Sequence, residues 1–170
     1  MVRETWEVGV IVERRALDNP WVDHVWMPVS VLPGAPSAAP WTVLHETDGL
    51  TRFYAGTFEL ELFGCDTGMY RDNLHSGRPS LWIALRSIEA PPGVALHLVT
   101  ADPYESESRT EVGTDIIEAV PMPIELQQWL AAFVEKHHVE RPFIKRQRNR
   151  ADADALARRG PRSGTMDDAE

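Results

Sequence analysis

Six histidines (His24, His45, His75, His97, His137 and His138) and one cysteine, Cys65, are the side chains here whose chemistry suits a metal or a nucleophile. Zinc sites usually draw two ligands from one local motif. The only close histidine pair is adjacent, which on a helix points the rings about 100° apart. No metal site is assigned on this pattern, and His137 reads instead as a cation near a helix C-terminus. Cys65 falls between a strand and a short helix, where a helix N-terminus would lower a thiol pKa. Asp66 beside it opposes the thiolate, and no second cysteine exists to resolve a disulfide. The chain has no glycine-rich phosphate loop, GxGxxG, HExxH, CxxC or GxSxG. No catalytic residue and no cofactor are assigned.

Three segments have the side chains of contact surfaces. Asn19-Pro20-Trp21-Val22-Asp23-His24-Val25-Trp26 carries two indoles, a carboxylate and an imidazole, which can stack on and hydrogen-bond a ligand. Trp21, Asp23, His24 and Trp26 are its candidate contacts. The plainer alternative is a loop between the first two strands, with Trp26 packed at a sheet end and Asp23 bonding backbone amides. Pro33 to Trp41 is a stiff proline-rich loop ending in an aromatic, so Pro33 and Trp41 join the candidates. The third segment, residues 141–150, holds Arg141, Lys145, Arg146, Arg148 and Arg150 and no acid. Phe143 and Ile144 would anchor it, leaving Lys145, Arg146 and Arg148 as an arm for an acidic protein partner or an anionic group. A solvated charged tail is the alternative.

The elements that must position these residues are mostly strands. Trp6, Val8, Val10 and Val12 alternate with a wetter face carrying Glu7 and Glu13, and Phe58, Leu60 and Leu62 alternate with Thr57, Glu59 and Glu61. Further strands are expected at 25–32, 41–46, 51–55, 80–86 and 94–100, with a hairpin turn at Asp48-Gly49. Asp66 is expected to cap a short helix through Met69, Tyr70 and Leu74 that stops at Gly77. Asp102-Pro103-Tyr104-Glu105 begins another. A third starts at Pro123 and spaces Leu126, Trp129, Leu130, Phe133, Val134 and His137 by threes and fours. The fold class expected is α+β: a mostly antiparallel curled sheet or partial barrel of about seven strands, with a long C-terminal helix packed on it. Residues 1–150 form one domain ending in the basic arm, and 151–170, poor in large apolar residues, read as a disordered tail.

Length and charge bound the function. A chain of 170 residues and net charge -9 suits one soluble domain. The charge is divided unevenly, -12 over residues 1–135 and +3 over 136–170. An acidic body excludes a basic nucleic-acid face, and no apolar run is long enough for a membrane helix. One cysteine and no secretory signal give a cytoplasmic expectation.

Across roughly residues 6–150 the chain resembles a functionally uncharacterised bacterial family encoded near molybdenum-dependent formate dehydrogenases. The resemblance is carried by Asn19-Pro20-Trp21 with Asp23 and Trp26, Pro28-Val29, Val31-Leu32-Pro33-Gly34-Ala35-Pro36 and Pro40-Trp41. It continues in Tyr54-Ala55-Gly56, Pro103-Tyr104-Glu105, Pro121-Met122-Pro123, His137-His138 and Pro142-Phe143 with Lys145-Arg146. It implies a genomic association with formate dehydrogenase maturation or function; joined to the lack of catalytic motifs and the Trp- and Pro-rich loops, this gives the expectation of a non-catalytic accessory protein whose partner is a formate dehydrogenase subunit or maturation factor. Members are often labelled molybdopterin-guanine dinucleotide biosynthesis protein A, which implies the alternative of a molybdenum-cofactor biosynthesis or carrier protein. The first strand here ends Val12-Glu13-Arg14-Arg15-Ala16-Leu17, without the glycines a guanylyltransferase uses to cradle phosphates.

Overall fold

A computed structural model describes residues 1–140, Pro142 and Ile144. The chain divides into a compact unit, Met1–Val139, and a second, Glu140–Glu170. Phe143, Lys145, Arg146 and Arg148 of the expected arm, and the whole of 151–170, lie outside the described residues.

The first strand, β1 (Arg3–Ala16), runs between β2 (His24–Leu32) and β4 (Leu50–Phe63), and β3 (Thr42–Thr47) pairs with the far side of β4. All three pairings are antiparallel. Alternation puts Val8, Val10 and Val12 of β1 in the core with Leu60 and Leu62 of β4. A second sheet has β5 (Ser80–Ser87) between β6 (Val94–Thr100) and β7 (Asp115–Pro121), again antiparallel. Its Leu81, Ile83 and Leu85 enter the same core. β2 lies against β7, and β4 against β6.

The fold is therefore mixed α and β with antiparallel sheets, and the expectation of one curled sheet or partial barrel is corrected. There are two sheets, not closed into a barrel. The strand count also hides two compensating differences. The segments expected at 51–55 and 57–62 are one strand, β4, kinked by a bulge: Val10 pairs with Gly56 and Ile11 with Tyr54, so Ala55 has no partner. Gly56 sits at φ +131°, a conformation a side chain would strain, and the bulge brings Phe53 through Gly56 into a continuous buried run that hides the alternation. β7 is absent from the expected strands because it is an edge strand whose inward face is short, Val120 buried and Ile116 only partly so, with Glu118 exposed between them.

Three helices complete the unit. α1 (Thr67–His75) follows a 3-10 turn at Gly64–Asp66, and Gly77 just beyond it takes φ +81°. Asp66 occupies the N-cap position, but its side chain makes no capping bond. α2 (Pro103–Ser108) is capped as expected, Asp102 Oδ1 accepting from the Tyr104 amide at 2.8 Å. Thr100 Oγ1 occupies Glu105 instead of a capping box, donating to Oε2 at 2.5 Å. α3 (Ile124–His137) is a 14-residue helix rather than a long one, with Pro123 as its cap. It buries Leu126, Leu130, Phe133 and Val134, and Phe133 stands 6.2 Å from Tyr70 of α1. Truncating a buried aromatic such as Phe133 costs about 3–5 kcal/mol, which makes this helix pair part of the core rather than decoration.

Candidate interaction surface

At one end of the four-stranded sheet, Trp26 of β2 and Phe53 of β4 flank β1 with their rings 5.6 Å apart, and Trp41 closes on both at 5.5 and 6.0 Å. His24 meets Trp26 edge-on at 5.7 Å. The Arg14 guanidinium lies over the Trp26 and Phe53 rings at 5.6 and 5.4 Å, a cation held by two π faces. Trp26 is only 6% exposed, so it serves as the floor of this end and not as a contact.

The proline-rich loop before β3 is seated on the sheet by specific contacts. Pro33 offers its carbonyl to Trp6 Nε1 at 2.8 Å. Gly9 lies where an added Cβ would stand 3.0 Å from Tyr54, 3.1 Å from Pro36 and 3.2 Å from the Gly34 carbonyl. The loop ends on Trp41, the one non-glycine at positive φ (+66°) among the described residues, held by its amide donating to the Tyr54 carbonyl at 2.6 Å.

Exposed apolar side chains stand on the loop between β1 and β2 and on β3. Trp21 is 89% exposed, with Val22 beside it half-exposed. The loop carrying them is folded back by two bonds: the Trp21 amide donates to Asn19 Oδ1 and the Leu17 amide to the Asp23 carbonyl, both at 2.9 Å. The Ala16 amide donates to the Gly49 carbonyl at 2.8 Å, tying this loop to the turn between β3 and β4. Between loop and hairpin lies a hollow of about 300 Å³ lined by Arg14, Asp23, His24, Glu46 and Thr51. β3 itself is exposed along its length, with Val43 and Leu44 each 50% exposed. Val43 pairs with Phe53 and His45 with Arg52, so Leu44 bulges outward unpaired. The other edge of β3 has no strand partner among the described residues.

Charge at this end is partly spent inside. Glu13 is buried and accepts from Arg15 Nη2 at 2.8 Å and Arg52 Nη2 at 2.6 Å. The Arg52 hydrogen bond first, with Arg15, outweighs the cost of burial and holds the Glu13 carboxyl below its ordinary value. Arg14, on the opposite face of β1, is left as the cation beside the hollow.

The other chemical candidates disperse. Cys65 is exposed, and its thiol is pushed up first by hydrogen bonding to Asp66, then by desolvation, so it is a poor nucleophile. His138 bonds Thr67 Oγ1 at 3.1 Å and Arg71 at 3.0 Å, His97 bonds the Arg109 carbonyl at 2.9 Å, and His137 packs 4.8 Å from Phe133. Among the described residues no three His, Cys, Asp or Glu side chains converge to hold a metal. No helix among them is long and apolar enough to cross a membrane.

Of the candidate residues, Trp21, Asp23 and His24 therefore share one end of the sheet with the half-buried Trp41, while Trp26 lies beneath and Pro33 is occupied by Trp6. Asp23 contributes its backbone carbonyl to the loop, where a side-chain role was expected. Arg14, Val43 and Leu44 were missed. Two adjacent apolar residues pointing outward on a short strand are visible only once the bulge is known.

The described residues form a small α and β protein of two antiparallel sheets. The chain belongs to the family described as a protein of unknown function (DUF3305), whose model matches residues 7–147. No curated protein and no solved structure matches it.

Proposed function

We propose that this protein is a non-catalytic accessory factor of the molybdenum formate dehydrogenase system that works by protein–protein contact through the Trp21 loop and the edge strand β3. The observation that supports it best is the exposure of Trp21 and Val22 on the loop between β1 and β2 and of Val43 and Leu44 on β3, whose outer edge has no strand partner among the described residues. Large aromatics on a rigid base are the anchors that dominate protein interfaces, and an open edge supplies backbone donors and acceptors to an extended segment. The formate dehydrogenase assignment rests on the motif resemblance given above. The test is affinity purification of the full chain from cells expressing the dehydrogenase, beside Trp21→Ala and Leu44→Lys variants. Recovery of a dehydrogenase subunit or maturation factor with the wild type, reduced at least about tenfold by either variant, is expected from loss of one anchor residue. Failure to recover any of them would overturn the reading.

A further inference from the structure

A second cleft, sharing no residue with that surface, lies between the end of α1, the start of β5 and the start of α2. Its volume is about 350 Å³, within the range of sites for small organic ligands. Its walls include Met69, Trp82 and Tyr104, the last 66% exposed, with Arg78, Ser76 and the carboxylate of Asp72, which pairs with Arg71 at 3.8 Å, also lining it.

The three segments forming it are fixed by one buried amide. Asn73 Nδ2 donates to the carbonyls of Ser80 at 2.8 Å and Ala101 at 2.9 Å, while its Oδ1 accepts from the Ser80 amide at 3.0 Å. The connection to β5 is pinned again by Ser76 Oγ, which donates to the Asn73 carbonyl at 2.7 Å and accepts from the Arg78 amide at 3.2 Å. Asp102 fixes the third wall by capping Tyr104. A fully satisfied buried network of this kind rigidifies what it joins. The groups it presents are left unused: neither the Arg78 guanidinium nor Trp82 Nε1 has a hydrogen-bond partner among the described residues.

We infer that this cleft binds a planar aromatic carboxylate, its ring against Trp82 and Tyr104 and its anion on Arg78. A flat ring gains from aromatic walls, and a guanidinium fork matches a carboxylate in two parallel hydrogen bonds. Arg78 is the lining's one cation and Asp72, paired with Arg71, its one carboxylate, so in a body whose first 135 residues carry -12 a single carboxylate is tolerated where a phosphate dianion would meet net repulsion.

The test uses 2-naphthoate as probe, with 2-naphthamide and cyclohexanecarboxylate as controls, followed by ligand-observed NMR and titration calorimetry on the full chain. Saturable binding of naphthoate, stronger than that of either control, is expected. Arg78→Gln, at an exposed position that leaves the fold alone, should weaken naphthoate about tenfold and leave naphthamide unchanged, as loss of a charge-assisted pair dictates. Trp82→Leu should weaken both aromatic ligands, and exposed Tyr104→Ala gives the same reading should Trp82→Leu not fold. No naphthoate binding to the wild type would overturn the assignment. So would equal affinity for cyclohexanecarboxylate, or naphthoate affinity indifferent to Arg78→Gln.

Discussion

Asp115 illustrates how single charged side chains hold this fold. Its carboxylate takes Arg86 Nε at 2.8 Å and Nη2 at 2.7 Å in a two-pronged pair, and the Glu111 amide at 2.8 Å. The Arg86 hydrogen bonds, helped by that amide, hold its pKa at about 2. A carboxyl lowered on folding stabilises the native state fully above its unfolded value of about 4 and loses that contribution as pH falls toward the folded value. Asp115→Asn should therefore cost roughly 1.5–3 kcal/mol at pH 7, the range for hydrogen bonds to charged groups. It should also flatten the fall in stability between about pH 4 and 2, as read by urea unfolding across that range. Glu13, lowered by Arg52 and Arg15, adds to the same acid limb. At this scale the sequence was hard to read. Alternation put Glu13 on a wet face, whereas its partners, two and 39 residues away, let it be buried as part of an ion pair. Asp102 was legible because a helix cap is a local contact.

At the scale of elements, the link between the proline-rich loop and the four-stranded sheet passes through glycine. Gly9→Ala would place a methyl group 3.0 Å from the Tyr54 ring and 3.2 Å from the Gly34 carbonyl, of which the backbone oxygen has little room to yield. Overpacking of this kind costs about 1–3 kcal/mol. The variant should melt lower and be cleaved faster by protease within residues 33–41, and unchanged cleavage would show that the loop does not depend on Gly9. Most of β1, β2, β5 and β6 could be read from period-two patterns because one face of each is buried. β7 could not, having almost no inward face, and the two halves of β4 looked separate because the bulge at Ala55 resets the alternation. Local caps and turns such as Asp48-Gly49 and Asp102-Pro103 were legible. The division into two sheets was not, since pairing partners are long-range.

For the molecule as a whole, an acidic body exposes apolar side chains at Trp21 and on β3 and holds a cleft at Trp82. The sequence marked the Trp21 loop by its density of aromatics, yet it could not separate Trp26, which builds the floor, from Trp21, which stands out in solvent. Exposure decides which indole can anchor a partner, and exposure is a tertiary property. On the function proposed above, Trp21 touches a protein of the formate dehydrogenase system. The test replaces Trp21 with the photo-crosslinking residue p-benzoylphenylalanine and irradiates cells that express the dehydrogenase, with the still more exposed Val112 as control position. A covalent adduct to a dehydrogenase subunit or maturation factor from position 21, absent from position 112, is the predicted result. No such adduct, or the same adducts from both positions, would show that Trp21 is not the contact.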